Sequence, residues 1–320
     1  MTASVPNARS ARRVWRRIIR HWQLYLLLLP VILYFAIFHY APMYGIQIAF
    51  RDYSLKGGIT GSPWVGAYYF ERFFRSYYFK RLIQNTLGIS LYQLTVGFPL
   101  PILLAVMLNE VRNIKFKKTV QMATYAPHFL SSIVLVGMII TFLSPRNGII
   151  NKFIVFFGGE VTNFMVNPGA FKTIYVLSGV WQSTGWNSII YVAALAGINP
   201  ELFEAAKIDG AGKLQRIAYI TLPSLFPTAV ILLILNCGQL MSVGFEKVFL
   251  MQNDANRSAS DVISTYVYSQ GLLGGQFSFA AAVGLFNAVV NFFLLLTVNW
   301  LSKRNSGAGL FCWRPDHEGV

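Results

Sequence analysis

The sequence predicts an all-α integral membrane protein with six transmembrane helices. Hydrophobic residues make up 55% of its 320 residues and charged residues only 12%, whereas about a quarter of the residues of soluble domains are charged. Six stretches also lack Asp, Glu, Lys and Arg for longer than the roughly 20 residues that cross a bilayer core. They cover residues 21–50, 82–109, 119–145, 173–200, 217–245 and 262–302.

The first and last of these stretches differ from a simple span. Residues 21–50 follow an Arg-rich start, as in a signal peptide, but the run is long and lacks a small-x-small cleavage site. We therefore expect it to be retained as span one. Residues 262–302 are too long for one span, and the glycine-rich sequence at 271–275 interrupts them, so the sixth helix is predicted to begin near Phe277.

The distribution of Lys and Arg predicts which ends of the spans face the cytoplasm, because retained basic residues accumulate on that side of a membrane. If the N-terminus is inside, the basic residues of both terminal tails and of the loops after spans two and four outnumber those of the external loops. Both termini and the loop at residues 198–225 are therefore predicted to be cytoplasmic. The net charge of +15 does not indicate nucleic-acid binding, since the basic residues are dispersed along membrane edges and form no recognised motif.

The loop between spans four and five predicts a short helix, a turn and a second helix. Asn199 can cap a helix whose first residue is Pro200, because proline lacks only an N–H that has no partner at that position. Gly210 can leave the helix with a positive φ, and a second helical run at residues 214–222 is predicted to end at Pro223.

The first helix of this loop also carries the features of a docking surface. The small side chains of Ala205 and Ala206 let another surface approach closely, and Glu204 offers a carboxylate to a basic partner. The alternative is an ordinary capped surface helix. The run from Glu204 to Ala211, followed by Ile220-Thr221-Leu222-Pro223, resembles the EAA signature of the membrane subunits of ABC importers.

That resemblance implies the type I ABC importer permease fold and a cytoplasmic loop that docks into a groove of an ATPase subunit. The residues that it assigns to coupling are Glu204, Ala205, Ala206, Asp209 and Gly210. It divides the chain into a basic cytoplasmic tail at 1–21, a six-span permease domain at 22–301 with the coupling loop at 198–225, and a cytoplasmic tail at 302–320. The chain itself holds no cofactor, and ATP and Mg are expected on the partner ATPase subunits.

Further segments resemble the permeases of oligosaccharide and polysaccharide importers, with subunits for acidic sugars such as alginate or aldouronates the most alike. These segments lie at residues 42–45, 244–248, 253, 261–268, 271–272, 277–278 and 282–286. The resemblance implies a second homologous permease, two ATPase subunits, an extracytoplasmic solute-binding protein and an oligosaccharide substrate. It also implies a multi-pass location among the lipids of the bacterial cytoplasmic (inner) membrane.

Polar residues within the predicted spans are candidates for a translocation path. Neutral amides can hydrogen-bond sugar hydroxyls, and indole or phenol rings offer flat faces to a pyranose ring. The alternative is interhelical hydrogen bonding, which is common in membrane proteins. The candidates are Trp181, Gln182, Ser183, Trp186, Asn187, Tyr191, Asn236, Gln239, Asn287 and Asn291.

No enzyme or metal site is predicted in this chain. Residues 209–214 resemble a phosphate-binding loop, but Lys207 stands where its first glycine belongs and Leu214 replaces the magnesium-binding Ser or Thr. The four histidines are scattered, which argues against a metal cluster or a catalytic triad. Cys237 within span five and Cys312 in the tail are not expected to form a disulfide.

Two other classes remain open, a secondary carrier for a neutral solute and an integral-membrane enzyme acting on lipids. Gradient-driven carriers usually keep ionisable residues near the bilayer midplane, but the predicted spans contain no Asp or Glu. Glu246, toward the outer end of span five, is interpreted as an interfacial ion pair with Lys247. The lipid enzyme would need acids or histidines clustered at one depth, which the sequence does not show.

Two external segments, residues 51–81 and 149–164, are candidates for receiving substrate from a binding protein. The first has only two acids, Asp52 and Glu71, so it is predicted to be electropositive and to steer an acidic saccharide or an acidic protein surface. The alternative is that these aromatic-rich segments lie at the lipid headgroups. The basic residues concerned are Arg51, Lys56, Arg72 and Arg75.

Overall fold

The computed structural model describes residues 20–306, and these residues form helices and loops without a β-strand. Arg51 and Trp64 make an isolated antiparallel bridge. The chain divides into two compact units, Met1–Tyr69 and Phe70–Val320. Residues 1–19 and 307–320 lie outside the described residues, and with them most of the two predicted tails, including Cys312.

The first unit contains helix α1, Trp22–Phe50, and the short helix α2, Gly58–Gly61. Helix α1 widens into a π-helical turn at Ala36–Tyr40 and ends in a 3-10 turn at Tyr44–Phe50. The π turn lies just before Pro42. A proline ring collides with the carbonyl four residues earlier in a regular helix, and the wider turn relieves that collision.

No residue of α1 between Trp22 and Phe35 is buried, although the segment is almost entirely apolar. A helix that is apolar on every face requires lipid or another subunit around it. After α1, the Arg51 guanidinium donates to the Ser62 carbonyl at 2.9 Å and lies 5.5 Å from the centroid of the Trp64 ring. These contacts close the loop that carries α2.

The remaining helices follow in chain order and pack mainly around α8. They are α3 (Tyr68–Phe74), α4 (Tyr78–Glu110), α5 (Ile114–Phe129), α6 (Ser132–Phe142), α7 (Ile149–Phe156), α8 (Pro168–Ala196), α9 (Pro200–Ile208), α10 (Lys213–Cys237), α11 (Phe245–Met251), α12 (Arg257–Ser260), α13 (Ile263–Tyr268) and α14 (Phe277–Ser306). Helix α8 contacts α4, α5, α10 and α12.

By length and hydropathy, α1, α4, α10 and α14 are each able to cross a membrane. The pairs α5–α6 and α8–α9 are long and apolar enough when each pair is taken together, but they bend by 100° and 71°. The described residues therefore hold four helices able to span a membrane, or six if each bent pair forms one span. The predicted start of the last helix near Phe277 is confirmed.

The predicted third span, residues 119–145, contains the sharper of these bends. Its break follows a 3-10 turn that includes Pro127. The Ser131 side chain caps α6 by accepting the Val134 N–H at 3.4 Å, and Gln182 of α8 donates to the Leu130 carbonyl at 2.9 Å. These bonds satisfy backbone groups that the break removes from the helical ladder.

The prediction that a helix ends at Pro223 is wrong, because α10 runs through that residue to Cys237. A π-helical turn at Ile217–Thr221 lies just before the Leu222-Pro223 pair. This is the arrangement found before Pro42 in α1. The wider turn leaves room for the proline ring and so lets the helix continue.

The main hydrophobic core joins α8 to three other helices. It includes Ile89 of α4, Val136 of α6, Val176 of α8 and Val248 of α11. Helix α5 approaches α8 closely at Gly185, where a Cβ atom would overlap the backbone carbonyl of Thr124. Only glycine permits this distance between the two backbones.

An ion pair and an amide hold α4 to the loop around α12. Arg81 pairs with Asp261 at 3.1 Å. Asn85 donates from its side chain to the carbonyls of Ser258 at 2.9 Å and Asp261 at 3.1 Å. These contacts fix the end of α4 that lies nearest to α12 and α13.

Candidate functional site

A cavity of about 440 Å³ lies between α4, α8 and the segment that joins α10 to α11. Helix α4 contributes Ile89, Ser90, Gln93, Leu94, Gly97, Phe98 and Pro101 to its lining, and α8 contributes Tyr175, Gly179, Gln182, Ser183, Asn187, Ile190 and Tyr191. The rest of the lining comprises Leu232, Asn236, Gln239, Leu240, Ser242, Val243, Gly244 and Lys247. Amides and hydroxyls are therefore concentrated in one cavity.

Six of the residues predicted for the path line this cavity. They are Gln182, Ser183, Asn187, Tyr191, Asn236 and Gln239. Ser183, Asn187 and Tyr191 are four residues apart on α8, so they share one helix face. The arrangement offers hydrogen-bond donors and acceptors to a polar molecule.

The other four predicted path residues do not line the cavity. Trp186 stacks on His128, with ring centroids 4.4 Å apart and planes 5° apart. Asn291 accepts the Met241 N–H at 2.9 Å and donates to the Ser242 hydroxyl at 2.8 Å, so it joins α14 to the turn after α10. Trp186 therefore packs against a neighbouring ring, and Asn291 makes hydrogen bonds between segments, as the alternative interpretation of these residues expects.

The remaining two predicted path residues are Trp181 and Asn287. Trp181 is half exposed, and the buried Oδ1 of Asn287 has no hydrogen-bond partner among the described residues.

Sequence reasoning missed the contribution of α4 to the cavity. Ser90, Gln93 and Gly97 recur at intervals of three and four residues, which places them on one face of the helix. The sequence does indicate this cavity-lining face of α4, because polar and small residues recur at helical spacing inside an apolar stretch. That pattern is weaker than the cluster of tryptophans and amides in span four.

Lys247 was also missed, because its neighbour Glu246 suggested an interfacial ion pair. The described residues contain no such pair. The Lys247 ammonium instead donates to the Tyr175 carbonyl at 2.8 Å and lies 4.6 Å from the centroid of the Tyr175 ring. Burial lowers the pKa of Lys247 to about 8, because removal from water disfavours the charged form.

The loop from Asn199 to Gly212 has the bent shape that the sequence predicts. Asn199 caps α9 by accepting the Glu201 N–H at 3.0 Å. Gly210 has a φ of +77°, and the next residue, Ala211, donates its N–H to the Ala206 carbonyl at 2.8 Å. The glycine thus ends α9 in a left-handed conformation, as helix C-termini commonly do.

The surface of this loop is unusually apolar for an exposed segment. Glu204, Ala205, Asp209 and Gly210 are exposed and Ala206 is half-buried, while the side chains of Leu202, Ile208, Leu214 and Tyr219 are also exposed. Ile208 has 87% of its surface accessible. Exposed apolar groups rimmed by charged residues are typical of a protein interaction surface.

Two of the basic residues that were predicted to receive substrate have partners within the chain. In the first unit, Arg51 is held by Ser62 and Trp64 as described above. In the second unit, Arg72 donates to the Gln276 side chain at 2.9 Å, and its guanidinium lies 4.9 Å from the centroid of the Phe279 ring. Lys56 and Arg75 are exposed. Arg51 and Arg72 therefore stabilise the local structure through these contacts, in addition to making their surface positively charged.

Comparison with known proteins shows what kind of membrane protein carries this cavity and loop. Residues 97–307 match the family described as the binding-protein-dependent transport system inner membrane component. The chain belongs to this family. The resemblance drawn from the EAA signature is thereby confirmed.

The permease has close relatives in sequence and in structure. It is 45% identical to the polygalacturonan/rhamnogalacturonan transport system permease protein YteP of Bacillus subtilis, over 94% of each chain. It is 43% identical to Protein LplB of the same organism, over 90% of this chain and 91% of the other. A chain from the crystal structure of a bacterial ABC transporter involved in the import of the acidic polysaccharide alginate has 42% identity and a TM-score of 0.85, covering 92% of this chain and 99% of its own.

Family membership places the permease in the inner membrane and accounts for its exposed apolar helices. A permease of this family is the membrane subunit of its transport system and lacks an ATP site. This agrees with the incomplete phosphate-loop pattern at residues 209–214.

Proposed function

We propose that this permease forms the translocation path of an ATP-driven, binding-protein-dependent importer of acidic oligosaccharides. The observation that carries the proposal is the cavity, whose amides and hydroxyls come from α4, α8 and the end of α10. Such groups match the hydroxyls of a sugar. The names of the relatives, which refer to polygalacturonan, rhamnogalacturonan and alginate, support an acidic substrate.

The proposed topology has six spans with both termini in the cytoplasm. In it, the bent pairs α5–α6 and α8–α9 each contribute one crossing, and α9 leaves the membrane as the coupling helix. The domain limits stay as predicted, with the path domain at residues 22–301 and the coupling loop at 198–225. The predominance of basic residues on the inner side supports this orientation.

The proposed partners are a second homologous permease, two ATPase subunits that bind ATP and Mg, and an extracytoplasmic solute-binding protein. A related alginate importer has been solved in complex with an alginate pentasaccharide-bound periplasmic protein, which supports the last of these partners. The exposed α1 is suited to contact lipid or the second permease, since none of its residues between Trp22 and Phe35 is buried.

The connectivity of the loop supports a route for coupling. Helix α8 carries Asn187 and Tyr191 in the cavity and leads into α9, while α10 begins just after α9 and carries Asn236. A displacement of α9 by the ATPase would therefore be transmitted along two continuous helices that both line the cavity. ATP-driven closure of the ATPase pair would then switch the path between inward-facing and outward-facing states, because the ATPase contacts α9 differently in the two states.

The proposal is tested by reconstituting the complete complex in proteoliposomes with its binding protein. Acidic and neutral oligosaccharides are compared as stimulators of ATP hydrolysis and as transported solutes. Uptake of an acidic oligosaccharide that requires ATP supports the proposal. Uptake that continues without ATP while ion gradients are kept would instead indicate a secondary carrier, and stimulation by neutral sugars alone would remove the acidic specificity.

Replacing Asn187 with leucine is expected to lower transport about tenfold, because the variant loses a hydrogen-bonding group in the cavity and leaves polar groups of the sugar unpaired. The measurement is the initial rate of uptake by the assembled complex. Thr184→Val is a matched control on the same helix, since the Thr184 hydroxyl bonds the Val180 carbonyl and does not line the cavity. Equal uptake by both variants would contradict a role for Asn187 in the path.

Replacing Glu204 with lysine is expected to weaken binding to the ATPase subunit by roughly tenfold or more, because the variant places a cation where the partner is expected to present one. The measurement is copurification of the two subunits at low and at high salt. Glu204→Gln, which keeps the shape but removes the charge, should show an intermediate effect. Unchanged copurification of the lysine variant would reduce Glu204 to an ordinary surface residue.

A further inference from the structure

The cavity contains a half-buried positive charge that the neutral chemistry of sugar hydroxyls does not require. Lys247 is the charged residue among the described residues that line it, and no Asp or Glu side chain shares the lining. A lysine is rarely buried without a counter-ion, because removing an ammonium group from water is costly. Its presence in a solute path therefore indicates a negatively charged solute.

The surroundings of Lys247 keep its ammonium group directed toward the cavity. One N–H donates to the Tyr175 carbonyl, and the other two have no hydrogen-bond partner among the described residues. Gly179 makes room for it, since a Cβ atom there would stand 3.2 Å from the Lys247 Nζ and 3.4 Å from the Gln93 Oε1. The free donors thus lie beside the Gln93 amide.

We propose that Lys247 binds a carboxylate of the passing oligosaccharide and so selects acidic sugars over neutral ones in the path. Its two available N–H groups fit the two oxygens of a uronate carboxylate, and the neighbouring Gln93 amide is placed to bond an adjacent hydroxyl. This inference rests on the proposed function as a saccharide permease. It adds a residue that determines specificity.

Two other features of the site support the assignment. The Tyr175 ring lies against the ammonium group at 4.6 Å from its centroid and so stabilises the cation while no solute is bound. The lowered pKa of Lys247, about 8, leaves the residue mostly protonated at neutral pH and makes its charge sensitive to alkaline pH. The groups that face it are the Tyr175 ring and carbonyl, the Gln93 amide and Gly179, while Glu246 precedes it on its own helix.

The test uses the complete complex with its binding protein in proteoliposomes. The probes are an alginate pentasaccharide and an oligogalacturonate, each compared with its carboxyl-reduced neutral counterpart. The variants are Lys247→Met and Lys247→Gln, which remove the charge, and Lys247→Arg, which keeps it. The glutamine side chain retains an N–H donor for the Tyr175 carbonyl, so Lys247→Gln still tests the proposal if Lys247→Met fails to assemble.

The expected result is a loss of about tenfold or more in the uptake of the acidic probe relative to its neutral counterpart in the uncharged variants. Lys247→Arg should retain the preference. The wild-type preference should also fall as the pH rises through about 8, whereas in Lys247→Arg it should persist, because arginine stays protonated. A residue that only supported the fold would change the uptake of both probes alike.

Two outcomes would overturn the inference. In the first, the wild type prefers the acidic probe and the uncharged variants keep the same preference, which leaves the proposed function standing without Lys247. In the second, the wild type transports only the neutral counterparts, which removes both the acidic substrate class and the role of Lys247. If no saccharide is transported by the wild type, the proposed function itself fails.

Discussion

Replacing Gly210 with valine is expected to abolish most ATP-coupled uptake while membrane insertion persists. Gly210 has a φ of +77°, and a β-branched residue in this left-handed region costs at least about 1–2 kcal/mol. The bend between α9 and α10 would shift to a conformation that valine tolerates, and this would displace the surface of α9 that is proposed to dock on the ATPase. The measurements are uptake, copurification with the ATPase and the amount of permease in the membrane.

A valine at Gly212 provides the matched control for that prediction. Gly212 lies in the same loop but has a φ of −68° and a ψ of 169°, which any residue adopts. A Cβ atom there would make an ordinary contact of 3.6 Å with the Gln215 side chain. Gly212→Val should therefore keep most of the uptake. Normal uptake by Gly210→Val would show that the coupling loop does not depend on the left-handed turn.

Replacing Gly185 with alanine is expected to impair assembly of the permease, although alanine is the better helix former. The added Cβ atom would overlap the backbone carbonyl of Thr124, so α5 and α8 would have to move apart. Overpacking of this kind typically costs about 1–3 kcal/mol, and a rigid backbone atom leaves little room for relief. The measurements are the yield of folded protein in detergent and its melting temperature.

The control for that prediction is the same substitution at Gly137 of α6. No heavy atom lies within 4 Å of a Cβ atom at Gly137, so only the helix propensity changes there. Gly137→Ala should stabilise the permease by about 0.5–1 kcal/mol. If Gly185→Ala also raised the melting temperature, the close approach of α5 to α8 would not be a constraint on the fold.

Local chemistry made much of the coupling loop predictable. The Asn199 cap and the positive φ of Gly210 depend on residues within a few positions of each other, and both are as predicted. One prediction that failed was also local, since Pro223 was expected to end a helix. The π turn at Ile217–Thr221 lets the helix continue, and no rule of sequence spacing reveals such a turn.

The site itself was only partly predictable, because it is made by helices that are distant in the sequence. Asn187 and Asn236 line the cavity, whereas Trp186, next to Asn187, turns to stack on His128. Adjacent residues on a helix point about 100° apart, so a cluster in sequence is divided between faces in the structure. The predicted ion pair between Glu246 and Lys247 is absent for the same reason, because adjacent residues in a helix do not face each other.

The sequence by itself determined that this chain is a membrane protein with a bent, polar loop between two apolar segments at residues 198–225. Long stretches without charges must be buried in lipid or protein, and a helix cap or a left-handed glycine depends on residues within a few positions of each other. Tertiary structure alone decided that Gly185 permits two helices to touch and that Lys247 directs its charge into the cavity beside Gln93. Both depend on distances between segments far apart in the chain, which packing sets and local propensity does not.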